Sequence, residues 1–313
     1  MVQAVATKPD TLDASKVKFI DVDGIRTRYY EDGEGEPLIL LYGGAFGEGG
    51  LETWSRNLPG LAQHFHVFAL DKLGQGQTDN PRSDEEYTFD ALLQHTIAWV
   101  KAVGIEKAHV LGHSRGALLA AALVFAMPGL ARTVVFGNSN TLAPDDERWP
   151  AFVFYSEVQK LVPPGPPSKD SIRLFMDKNS YGTDHVSDEY LEAMLAIQQM
   201  PKTQEAKAKM ADIRGTGNGK VVGRSTFLPS MARVKAETLA KIDEEGLPAP
   251  TLVFWGFNDP SAKLPLGHLL FERICARTPE AEMHIFNHAG HSTYREHPEE
   301  VNTLLEAFCL RER

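Results

Sequence analysis

Residues 108–120, AHVLGHSRGALLA, set a serine between two glycines where an apolar strand-like run gives way to an Ala/Leu-rich helix-like run. Few patterns restrict a fold so tightly. A Gly-x-Ser-x-Gly turn in that context thrusts the Ser114 side chain out of the end of a buried strand. The backbone must then turn so sharply, and its neighbours come so close, that glycine is required at 112 and 116. A serine N-cap in a glycine-rich turn would use the same letters, so the rest of the chain has to decide between them.

The rest of the chain repeats the strand-then-helix rhythm. Residues 17–33 read as two short strands around an Asp23-Gly24 turn. PLILLYGG is a continuous apolar run ending in glycines, the signature of a strand buried on both faces. A helix over about 51–61, a strand at 66–70, a helix near 91–103 and strands at 108–112 and 133–138 follow. After Asn138 the rhythm breaks into VPPGPP, several helix-like segments and GTGNGK. It resumes with LPAPTLVFWG, a helix near 266–277, a strand at 283–286 and a closing helix from about Pro298. The expectation is an α/β fold: a mostly parallel sheet with helices on both faces and an inserted, mainly helical segment. The divisions read as 1–139 for the first part of the core, 140–236 for the insertion and 237–313 for the second part.

Serine is a poor nucleophile at its ordinary pKa and needs a base oriented by an acid. Candidates stand in the order nucleophile, acid, histidine. Asp259 follows the strand TLVFWG, and His291 lies in FNHAGHSTYREHP. Loops at the carboxyl ends of parallel strands converge on one side of a sheet, where these groups can meet. His288 is read as structural or solvent-facing, and His113 as an elbow packing or hydrogen-bonding residue. A tetrahedral oxyanion needs amide donors. The glycine-rich loop LLYGGAFGEGG offers Gly44 or Ala45, and the residue after the nucleophile offers the Arg115 amide. DKLGQGQTDNP reads as a structural turn, since it matches neither nucleotide-binding glycine pattern.

Composition narrows the function classes. A net charge of −10 argues against a general nucleic-acid or anionic-membrane surface. No apolar run is long enough for a signal peptide or a bilayer span. Cys275 and Cys309, the only cysteines, cannot build a disulfide scaffold or a clustered metal site. A cytoplasmic protein with a small-molecule substrate and no required metal or organic cofactor is expected. Homodimerisation is left open.

With LYGG, DKLGQGQTD, GHSRG, WGFNDP and NHAGH followed by REHPEEVN in place, the chain resembles the α/β-hydrolases over nearly its whole length. That resemblance implies Ser114 as nucleophile, Asp259 as acid, His291 as base and the 140–236 insertion as a lid. Within the superfamily, GGAFGEGG, WGFNDP and EHPEEVN are similar to the meta-cleavage-product hydrolases, which cut carbon–carbon bonds in vinylogous diketones formed from aromatic rings. The chain departs from that branch at Tyr42, where a histidine is usual, at His113, where asparagine is common, and at Ser292, where tryptophan is frequent. No lid arginine is evident. Arg115, Phe46 and Tyr42 are the expected substrate contacts, with the Arg115 guanidinium placed either against a substrate carboxylate or against an acidic lid residue. The competing activity is ester or lactone hydrolysis through an acyl-enzyme, which uses the same triad.

Overall fold

The computed structural model describes residues 10–44, 47–210 and 222–312. Its elements follow in chain order. The first are β1 (Val17–Val22), β2 (Ile25–Asp32), β3 (Glu36–Leu41), α1 (Gly50–Trp54), α2 (Leu58–Leu61), β4 (Phe65–Leu70) and α3 (Phe89–Val103). Next come β5 (Ala108–His113), α4 (Arg115–Ala126), β6 (Ala131–Gly137), α5 (Ala151–Leu161), α6 (Lys169–Asn179), α7 (Asp188–Gln199) and α8 (Pro201–Met210). The chain closes with α9 (Val222–Glu245), β7 (Thr251–Gly256), α10 (Leu264–Arg277), β8 (Ala281–Phe286), α11 (Thr293–Glu296) and α12 (Pro298–Cys309).

Among the described residues the strands form one sheet in the order β1-β2-β4-β3-β5-β6-β7-β8. The β1/β2 and β2/β4 pairs are antiparallel, and every pair from β4/β3 to β7/β8 is parallel. The opening hairpin turns at Asp23 and Gly24, both at positive φ (52° and 78°), as an Asp-Gly hairpin turn requires.

The continuous apolar runs bury both faces of the sheet. Ile39, Leu41, Val110, Val134, Phe136, Val253 and Trp255 belong to one core layer, and α3, α4, α9 and α10 contribute to it. Leu38, Leu40, Leu111, Val135, Leu252 and Phe254 alternate into the opposite layer, with α1, α2 and α12. Successive strand side chains point to opposite faces, so an uninterrupted apolar run is what a two-sided core needs.

The helix expected over 51–61 is two short helices instead. Pro59 lies in the first turn of α2, where its missing N–H and fixed φ are tolerated but continuation from α1 is not. The insertion between β6 and β7 is helical, and α6 and α7 carry a small core of their own around Ile172, Met176, Tyr190 and Met194. Residue 236 falls inside α9, which runs on to Glu245 and packs on α3, α4 and α10. The GTGNGK segment lies outside the described residues. No described helix is long and apolar enough to cross a membrane.

Candidate active site

Ser114 stands between β5 and α4 with φ 55° and ψ −124°, a strained backbone for any residue with a Cβ. The surroundings enforce it. A Cβ on Gly112 would fall 2.2 Å from the Gly116 carbonyl oxygen, and one on Gly116 would fall 2.2 Å from that of Leu41. The Ser114 amide donates to the Gly137 carbonyl at 2.9 Å, and the Ser139 hydroxyl donates to the Ser114 carbonyl at 2.6 Å. The Arg115 amide opens α4, so no preceding turn of helix supplies it with an acceptor.

The sequence-predicted partners meet here. The Ser114 hydroxyl lies 3.1 Å from His291 Nε2, and His291 Nδ1 lies 2.8 Å from Asp259 Oδ2. With Nδ1–H donating to the carboxylate, Nε2 is left as the acceptor for the serine proton. Asp259 is almost wholly buried, and its other oxygen accepts from the Ser261 amide (2.8 Å), the Ser261 hydroxyl (3.0 Å) and the Ala262 amide (2.7 Å). A carboxylate bonded on both oxygens is fixed in angle.

His113 donates from Nε2 to the His291 carbonyl at 2.8 Å and packs between the rings of His291 and Tyr294. Burial, and then the neighbouring His291, hold its pKa well below the usual histidine value. His113 is therefore a neutral brace. His288 is exposed, at φ 55°, with its ring stacked on Tyr181.

The structure adds parts that sequence reasoning missed. Asn138, at φ 43°, donates from Nδ2 to Asp259 Oδ2 (2.8 Å) and to the Gly290 carbonyl (3.2 Å). Asparagine tolerates the left-handed region better than most residues, so its place at the end of the TVVFGN run was the available signal. The Lys72 ammonium donates to the carbonyls of Tyr42, at 2.8 Å, and Gly43. From the lid, the Asn179 carbonyl accepts the His291 amide at 2.8 Å. One Glu296 oxygen takes the amides of Tyr181 and Gly182, and the other takes that of Gly290.

Among the other expected contacts, Gly44 is beside the elbow. Its carbonyl accepts from Arg115 Nη1 at 3.2 Å, and the guanidinium lies 5.4 Å from the Phe227 ring centroid. Tyr42 is not brought to an accessible face. It is 0% exposed, packed into the core layer with Leu40 and Trp54, and its hydroxyl accepts the Lys72 amide at 3.4 Å. A ring at the end of a strand buried on both faces has the core as its nearest neighbour. Ala45 and Phe46 lie outside the described residues. The DKLGQGQTD turn is built around Asp71, which takes the amides of Gly50 and Gln77, while Gly74 and Gly76 adopt positive φ.

A family described as the alpha/beta hydrolase fold matches residues 36–298. A 2-hydroxymuconate semialdehyde hydrolase of Pseudomonas sp. (strain CF600) is 28% identical, with 91% of this chain and 90% of that one covered. A dihydrolipoyllysine-residue acetyltransferase component of an acetoin cleaving system, from Cupriavidus necator, is 30% identical over 94% of this chain and 69% of its own. Among solved structures, a variant of a meta-cleavage product hydrolase from Pseudomonas fluorescens IP01 superimposes with a TM-score of 0.72 at 25% identity, covering 93% of this chain and 96% of that one. Sheet order, elbow, hydrogen-bonded Ser114–His291–Asp259 and a family match over most of the length agree, and the chain belongs to the α/β-hydrolase fold family.

Proposed function

We propose that this protein is a serine-dependent hydrolase of small ring-cleavage products, cutting a carbon–carbon bond beside a ketone. The Asp259–His291–Ser114 relay is the observation that carries the hydrolase reading. The choice of substrate is supported by the full-length likeness to enzymes whose names specify hydroxymuconate and dienoate substrates. In this reading the dienol first ketonises. Ser114, or a water in its place, then attacks the keto carbon while His291 takes the proton from the attacking oxygen. Asp259 stabilises the imidazolium, and the oxyanion rests on the Arg115 amide and an amide of Gly44 or Ala45. Collapse breaks the carbon–carbon bond, and His291 returns the proton to the departing carbon. Water supplies the oxygen of the acid product. The Arg115 guanidinium, at the edge of the glycine loop, faces the substrate carboxylate, with Phe46 as a further contact from that loop. No cofactor enters these steps. A cytoplasmic location is consistent with two free thiols, Cys275 and Cys309.

The second reading is ester or lactone hydrolysis through an acyl-enzyme, favoured by one relative being an acetyltransferase component. Purified protein and its S114A variant, assayed against aryl and alkyl dienones by loss of visible absorbance and against short esters and lactones by acid release, separate the two. Fast dienone turnover with slow esters, and S114A inactive on both, is the expected result. Efficient ester turnover with dienones untouched would replace the carbon–carbon reading and leave the triad standing.

A further inference from the structure

Lys72 takes no part in the steps above, yet it is a wholly enclosed lysine directly beneath the glycine loop. Its Nζ sits 4.2 Å from the Tyr42 ring centroid and donates to carbonyls, those of Tyr42 and Gly43, not to a carboxylate. An apolar side chain would fill the same space without the desolvation that an ammonium suffers there. A trans peptide holds its N–H opposite its C=O. Fixing the carbonyls of residues 42 and 43 on one side therefore sends the amides of residues 43 and 44 to the other. The loop lies against the nucleophile, since a Cβ on Gly43 would come within 3.3 Å of Ser114 Cβ and 3.6 Å of its Oγ.

We propose that Lys72 is a positioning residue for the oxyanion loop, holding the Tyr42 and Gly43 carbonyls so that the loop amides are aimed at the charge developing beside Ser114. The inference rests on the reading of that loop as the oxyanion site. Charged groups face Lys72 from several elements, Arg115 on α4, Glu48 from the glycine loop and Asp71 from its own turn, and so does the neutral, titratable His113 on β5. Burial, and then Arg115, pull the lysine down to about 7, while Glu48 and Asp71 oppose them. The clamp accordingly loses its charge near neutrality. A neutral amine still donates, but hydrogen bonds without charge assistance are roughly half as strong.

The test reads Ser114 directly, as the rate of its phosphonylation by a fluorophosphonate between pH 6 and 9, followed by intact mass. The wild-type rate is expected to fall above about pH 7, where Lys72 deprotonates. K72M is expected to react about 10-fold or more slowly, a smaller loss than for removing an oxyanion donor itself, and to lack that alkaline decline. K72R, permanently charged, restores the rate and also lacks the decline. Should either buried substitution fail to fold, E48Q and R115M keep the native lysine and carry the test. E48Q moves the alkaline decline to lower pH and R115M moves it to higher pH. Wild-type labelling speed in a folded K72M, or a decline that ignores both E48Q and R115M, overturns the proposal. A wild type labelled no faster than S114A removes the nucleophile reading itself, and this inference with it.

Discussion

The elbow and the lid both reach the triad, and they are held by opposite means. Around Ser114 the constraint is backbone against backbone: strand β5, helix α4 and the β3 loop approach so closely that side chains are excluded at 112 and 116. Above it, α8 adds Ala206 and Met210 to the main apolar core, and the rest of the lid is held to the core in large part by individual polar ties. Arg295, with no exposed surface, bonds the carbonyls of Glu52 and Thr53 in α1 and that of His185 beneath the lid, and pairs with Asp10 at 2.8 Å. Ser187 donates to the same Asp10, and Lys202 to the Gly76 carbonyl. The nucleophile is over-determined by shape, whereas the lid depends on side chains that one substitution can remove. That division suits an enzyme that must keep its chemistry fixed while its cover admits different substrates.

The most damaging test attacks the over-determined half. In Gly116→Val the new Cβ meets the carbonyls of Leu41 and Tyr42 at 2.2 and 2.5 Å, and neither can withdraw without breaking β3. Loss of soluble folded protein, or of all activity with a much lower Tm, is expected; a stable, active variant would end the claim of shape control. Asp259→Asn comes next. It leaves the packing intact but reverses the polarity of the bond to His291 Nδ1, and kcat should fall about 10,000-fold with Tm little changed. A loss of only a few-fold would mean that Asp259 does not orient the base.

Arg295→Met then probes the lid half. Its removal leaves Asp10 buried without its cation. Burial alone would raise that carboxyl, but Arg295, with the Ser55 and Ser187 hydroxyls, holds it below the usual range. Stability should drop by about 3–5 kcal/mol, read by denaturant unfolding, and proteolysis should begin between α6 and α8. The chemical step, read by fluorophosphonate labelling of Ser114, should fall much less than in Asp259→Asn. Equal losses in both readouts would erase the distinction between the regions.

This contrast also decided what could be read from the sequence. The elbow, the buried strands and the Asp71 turn are legible because each arises from residues adjacent in the chain whose backbone geometry admits few alternatives. Asp259 and His291 are legible for a related reason, since each follows its own strand at the carboxyl edge of a parallel sheet. Arg295 and Glu296 stand inside a quoted motif, REHPEEVN, but their roles were hidden. Their partners lie in the N-terminal segment, α1 and the turns between α6 and α7, and no periodicity announces pairings across so much chain. Asn138 and Lys72 show the same limit nearer the chemistry. Tyr42 marks the opposite error: its place beside the glycines suggested a substrate contact, while the strand it ends draws the ring into the core.

Acid should separate the lid from the elbow by a narrower margin than these substitutions do. His185, at the base of the lid, bonds Ser180 at 2.8 Å. Burial, then Arg295 and Arg56, depress it from its ordinary value near 6.5 to about 3. A group depressed in the folded state contributes stability above its unfolded pKa and loses it as pH falls toward its folded one. The loss from His185 therefore begins below about pH 6.5 and continues to about pH 3, at up to about 1.4 kcal/mol per pH unit. His113 and His95, the latter held at about 4 by burial, act in the same direction within the core, so the whole protein should weaken in acid. The lid, tied by fewer contacts, should yield first. On lowering the pH from 6.5 to 5, the hydrogen-exchange protection factors of residues 180–190, corrected for the slower intrinsic exchange in acid, are expected to fall while those of the β5 amides hold, and His185→Gln should flatten the acid slope of unfolding by up to one proton. Simultaneous loosening of lid and β5, or an unchanged slope in His185→Gln, would place the acid sensitivity in the core and leave the lid no more fragile than the elbow.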